Sequence, residues 1–108
     1  MAAERSQKMW ISAFTVGAPL PTLHNVLYLA EFYLPADTSL ADVAARVRAG
    51  AQETARAGVD IHFVQAIFVP RDESCFALYQ AGSAHAVVTA GIQSGLVYDS
   101  VAEAFTTP

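Results

Sequence analysis

The pattern of apolar and polar positions divides the chain into alternating strand-like and helix-like stretches. Val26 to Leu34 (VLYLAEFYL) is dense in β-forming residues and reads as a strand that Pro35 ends. Its even positions, Val26, Tyr28, Ala30, Phe32 and Leu34, are the more uniformly apolar set. They are expected to face helices, which puts Leu27, Leu29, Glu31 and Tyr33 on the opposite face. Asp37, Thr38 and Ser39 then offer a helix cap, with Asp42 at the capping-box position if Ser39 serves. Leu40, Val43, Ala44, Val47 and Ala51 recur at helical spacing, and Gly58 is placed to stop the helix. Gly50 inside it reads as a small weakness, under about 1 kcal/mol.

Val59 to Val69 is the second strand, with Ile61, Phe63, Gln65, Ile67 and Val69 expected on one face and His62, Val64, Ala66 and Phe68 on the other. Pro70-Arg71-Asp72-Glu73 is a hairpin with Pro70 suited to the first corner position. In the third strand, SCFALYQA, Phe76 and Leu78 share one face while Cys75, Ala77 and Tyr79 share the other. Ser83 can cap a second helix that Gly95 stops. Its Val87, Val88, Thr89 and Gly91 are poor helix formers, so packing must hold it. A last strand is expected from about Leu96. The resulting order, β-α-β-β-α-β, is the ferredoxin-like α+β arrangement: a four-stranded antiparallel sheet with two helices on one face. The expected domain spans residues 26–105, with an extension over 1–25 and a tail over 106–108.

Composition changes this picture in one respect. Hydrophobic residues make up 54% of the 108, and charged residues only 15%. An average globular chain carries about 25% charged residues, so some surface is expected to be covered by a second copy. Between Glu73 and Asp99 there is no charged residue at all. His85, Thr89 and Gln93 therefore form an uncharged stripe on the second helix, either a neutral solvated face or one covered by another chain. The open face of the sheet is the expected dimer surface.

The net charge is −4, and the cations Arg5, Lys8, Arg46, Arg48, Arg56 and Arg71 form no basic stripe. Nucleic-acid binding through phosphates is not expected. No apolar run approaches the roughly 18–20 residues of a membrane span, and one cysteine fits a reducing, cytoplasmic setting. Residues 1–25 read as an extension rather than a signal peptide. Glu4 sits in the would-be basic region, Ser12 and Thr15 interrupt the apolar run, and no A-x-A site follows.

A set of short motifs runs through the domain: Tyr28-Leu29-Ala30-Glu31, Gly58-Val59, Pro70-Arg71-Asp72-Glu73, Cys75-Phe76 and Gly82-Ser83-Ala84. Over about residues 26–105 this resembles a bacterial family of small ferredoxin-like domains. That family was formerly of unknown function and is now labelled nickel-binding-protein-like. The resemblance implies a homodimer and, for part of the family, a metal-binding role. His62 matches a position where a strand histidine could ligate the ion. Its companion three residues on, which can also be histidine in metal-binding relatives, is Gln65 here.

The residues themselves leave two classes of function open. The first is a non-enzymatic, dimeric accessory protein that binds a small molecule or a divalent transition metal such as nickel. His62 and Glu31 would be the metal ligands, and Glu31, Tyr33 and Tyr79 the ligand-binding set. Imidazole and oxygen donors suit nickel, but no H-x-H pair or helical i, i+4 pair is present among His24, His62 and His85. The second is a small dimeric α+β enzyme acting on a hydrophobic metabolite, with Glu31 or His62 as general base in a tyrosine-lined pocket. Glu31 stands out because an acid inside an apolar strand must find partners or change its protonation. Cys75 has no cation or helix N-terminus beside it in sequence and reads as core. Arg71, Asp72 and Glu73 read as a solvated turn.

Overall fold

Strand and helix signals settle into the expected order in a computed structural model, which describes residues 26–107. The elements are β1 (Val26–Tyr33), α1 (Leu40–Arg56), β2 (Ile61–Val69), β3 (Ser74–Ala81), α2 (Ala84–Gln93) and β4 (Ser100–Ala104), with a 3-10 turn at Pro70–Asp72 between β2 and β3. The sheet is antiparallel in the order β2-β3-β1-β4. This is the ferredoxin-like α+β fold. The extension expected over residues 1–25 lies outside the described residues.

Each helix starts where its serine is. The Ser39 hydroxyl accepts from the Asp42 amide at 3.3 Å, and the Ser83 hydroxyl accepts from the Ala86 amide at 3.1 Å. These side chains satisfy amides that the first helical turn leaves open. Gly58 and Gly95 follow the two helices at φ +95° and +76°, values that only glycine adopts without cost.

The helix-facing side of the sheet is set by the even positions of β1 and the odd positions of β3. Ala30, Phe32, Cys75, Ala77, Tyr79 and Ala81 are buried there under Val43, Val47, Ala51, Val87 and Ala90. Tyr79 and Cys75 are fully buried. On β2 the alternation predicted from the sequence fails. A bulge at Val64, between the pairs Phe63–Tyr79 and Gln65–Leu78, inserts one residue and reverses the faces beyond it. Ile61, Phe63, Ala66 and Phe68 therefore face the core side, while His62, Gln65, Ile67 and Val69 share the open one.

Two further expectations change, and one contact is new. β4 starts at Ser100 rather than near Leu96, because Tyr98 turns inward to pack on Phe32, with ring centroids 5.1 Å apart. Glu73 is not merely a solvated turn residue. It takes the left-handed conformation (φ 53°), and its carboxylate accepts the Ala36 amide at 3.1 Å, tying the hairpin to the β1–α1 loop. Arg46 does not serve its own helix end. Its guanidinium donates to the Ser94 and Gly95 carbonyls, 3.1 Å each, at the C-terminus of α2.

Gly50 is the largest departure from expectation. A Cβ there would lie 2.1 Å from Ser94 Oγ and 2.8 Å from both the Ala90 carbonyl oxygen and the Ser94 amide nitrogen. The glycine is the point at which the backbones of α1 and α2 touch. Ser94 and Thr54, the buried polar side chains at this crossing, satisfy themselves on the carbonyls of Ala90 (2.7 Å) and Gly50 (2.8 Å).

Gly50→Ala tests that contact. Helix propensity alone predicts a gain of up to about 1 kcal/mol. The backbone clash predicts a net loss of about 1–3 kcal/mol. Urea unfolding of the two proteins decides between them, and an unchanged or higher midpoint would rule out the tight crossing.

Candidate functional site

The open face of the sheet is where the sequence places its most unusual carboxylate. β1 contributes Leu27, Leu29, Glu31 and Tyr33 to that face, β3 contributes Phe76, Leu78 and Gln80, and β4 contributes Ser100, Ala102 and Ala104. Leu29 sits between Leu78 and Ala102 in register, and Ile67 of β2 pairs with Phe76. The result is an apolar patch that reaches all four strands, with Ile67 still 47% exposed. Glu31 interrupts the patch beside β4. Its Oε2 accepts the Tyr33 hydroxyl at 3.1 Å, and its Oε1 accepts the Ser100 hydroxyl at 3.4 Å. Two positions apart on one strand, Glu31 and Tyr33 project to the same side, and Ser100 is the register partner of Glu31. The hydrogen bond to Glu31, and then its charge, push the Tyr33 phenol above its ordinary value.

The expected site residues separate into two groups on opposite sides of the sheet. Glu31 and Tyr33 meet as described. Tyr79 does not join them, because it projects to the helix side, where its hydroxyl pairs with that of Tyr98. Its ring packs edge-on against Phe63, centroids 5.9 Å apart. Gly91 makes room for this arrangement: a Cβ there would come within 2.6 Å of the Tyr98 ring. Tyr79 is a core residue, on the face of β3 that alternation gives it together with Cys75 and Ala77.

His62 shares the open side with Glu31 but not its neighbourhood. Leu27 and His62 both pair with Gln80 from either side of β3, whereas Glu31 pairs with Phe76. Two strand spacings and four residues of rise separate them, roughly 16 Å between Cα atoms. A transition metal cannot be shared by His62 and Glu31 of one chain. Among the described residues no three His, Cys, Asp or Glu side chains gather as a ligand set. Position 62 borders a groove between α1 and β2 whose polar side chains are Arg48, Gln52 and Arg56, while the imidazole itself projects to the open side. The residues of a single chain therefore do not fit a nickel centre at His62.

Cys75 behaves as a core residue. It is fully buried, and burial pushes its thiol up, away from the reactive thiolate. On α2, His85 and Gln93 are exposed and Thr89 is half-buried. Beside them Val88 and Ile92 are exposed, Ile92 at 69%. No helix among the described residues is long and apolar enough to cross a membrane.

Comparison with known proteins supplies the fold and little more. The chain is similar to the crystal structure of SCO4226 from Streptomyces coelicolor A3(2). The two share 19% identity with a TM-score of 0.56, over 76% of this chain and 99% of that one. No protein-family model and no curated protein matches the sequence. At that identity the likeness shows a shared fold, that of a small bacterial domain.

The Tyr79–Tyr98 pair gives a pH signature. Burial, as the largest cause, raises both phenols above the ordinary value of 10.0. The unfolded chain releases these protons near pH 10 while the folded chain holds them, so unfolding is favoured as pH rises. Stability from this pair is fully present below pH 10 and falls above it. Urea midpoints measured from pH 8 to 11.5 are expected to drop steeply above about pH 10. Tyr98→Phe is expected to flatten that drop, and an equal drop in the variant would place its origin elsewhere.

Proposed function

We propose that the protein is a non-enzymatic small-ligand-binding module that works as a homodimer through the open face of its sheet, with Glu31 as the polar centre of the site. The observation that carries this is the Glu31–Tyr33–Ser100 cluster set into an apolar face. An antiparallel sheet covered by helices on one side leaves the other to solvent or to a partner. Here that side carries half-buried Leu27, Leu29 and Phe76 and an exposed Ile67, which favours a partner. Two copies packed face to face would bring each Glu31 into a shared, drier chamber. A carboxylate there selects a ligand that offers a hydrogen-bond donor or positive charge on an otherwise apolar body.

The resemblance to nickel-binding-protein-like domains adds a metal form of the same reading. That form requires Glu31 to be joined by ligands from the second copy, since His62 lies across β3. The enzyme alternative, with Glu31 or His62 as general base, has less support. Glu31 already takes two hydroxyl donors, which hold it as an acceptor, and His62 is exposed with no partner to orient it among the described residues.

Light scattering on the purified chain is expected to give twice the 11.5 kDa chain mass, and Leu29→Lys is expected to give the single mass with the fold retained by circular dichroism. A clean monomer for the unmodified chain would discard the dimer. Titration of metal-stripped protein with nickel and zinc then separates the forms. Binding at a fixed stoichiometry that Glu31→Gln abolishes supports the metal form. No binding removes the metal and leaves the organic ligand.

A further inference from the structure

The groove between α1 and β2 lies apart from the Glu31 cluster, on the outer edge of the sheet. Its volume is about 440 Å³, within the range of small-molecule sites. One wall is a single face of α1: Arg48, Gln52 and Arg56 recur at i, i+4 and i+8 and so line up along the helix. The other wall is the start of the edge strand, where Phe63 is a half-buried ring, Ile61 is buried and the His62 side chain projects to the opposite face.

The charge there runs against that of the molecule. The chain carries a net charge of −4. Only four arginines fall in the described residues, and two of them line this groove, where no carboxylate is a lining residue. Arg46 is engaged by the carbonyls at the end of α2. Arg56 is held from outside the groove by Glu53 at 2.9 Å, with both side chains well exposed. Arg48 makes no ion pair among the described residues, and its guanidinium carbon sits 5.2 Å from the Phe63 ring centroid. Shielding of Phe63 would account for Arg48 alone. It would not account for a second arginine and an amide on the same helix face above an open groove.

We propose that this groove is a binding site for a small aromatic carboxylate. The planar guanidinium of Arg48 offers two parallel donors that match a carboxylate's two oxygens. The ring of the same ligand has the half-buried Phe63 to lie against. Gln52 donates an amide N–H beside the carboxylate, one turn along the same helix face.

The test is a titration of the full chain with 1-naphthoate, followed by amide NMR shifts. Shifts are expected at Gln52, Ala55 and Ile61–Phe63. Arg48→Gln, which keeps most of the side-chain length and lies on an exposed surface, is expected to weaken binding about tenfold. Arg71→Gln and Glu31→Gln are expected to leave it unchanged, so this site and the one on the open sheet face stand or fall separately. Saturable shifts absent at millimolar naphthoate would overturn the proposal, as would equal affinity in Arg48→Gln. Equal binding of neutral 1-naphthamide would show that the charge is irrelevant. Inorganic phosphate binding as tightly as naphthoate would reduce the groove to a general anion site and overturn the aromatic assignment.

Discussion

The contact between α1 and α2 at Gly50 governs the layer above the sheet. With no side chain at that position, the Ala90 carbonyl and the Ser94 amide approach the α1 backbone directly. Arg46, one turn earlier, reaches across and takes the last carbonyls of α2. The crossing thus joins a steric fit to a charge-assisted cap. On its other flank α1 packs over β2, and the groove lies between them.

The sheet then divides the molecule chemically. On the helix side polar groups are scarce and each is answered: the Tyr79 and Tyr98 hydroxyls by each other, Ser94 and Thr54 by helix carbonyls. On the open side Glu31 is answered by hydroxyls alone, with no cation among the described residues to neutralise it. Hydroxyls can rotate away, whereas a fixed ion pair would have to be broken to admit a ligand. The negative centre on the open side and the positive groove at the edge are thus kept apart by the width of β3.

Much of this was legible in the residues, and the failures have identifiable causes. The helix caps Ser39 and Ser83 and the glycine stops follow from local hydrogen-bond supply, which sequence displays well. The face of β1, and with it the exposure of Glu31 and Tyr33, follows from period-two alternation, which is intact there. On β2 the same rule fails beyond Val64, since a bulge leaves no clear trace in a strand made wholly of plausible β residues. Tyr79 was put in the site although the same rule sets it on the core face with Cys75; what the residues did not display is the buried partner, Tyr98, that answers its hydroxyl. Gly50 read as a weakness because propensity describes one helix and the crossing involves two. The groove was hidden for the same reason: Arg48, Gln52 and Arg56 are a visible row, but their significance depends on what lies beneath them.

The bulge at Val64 also bears on how the molecule keeps to itself. β2 is an edge strand of nine residues, with Val64 and Ile67 each 47% exposed. A straight edge of that length and character is a template on which another chain can add a strand. One inserted residue breaks the hydrogen-bond rhythm near its middle and increases the local twist, so an incoming strand could match one half of β2 or the other but not both. The irregularity that misled the face assignment is thereby a guard against indefinite edge-to-edge growth. The proposed dimer would then close through the broad face rather than grow along the rim.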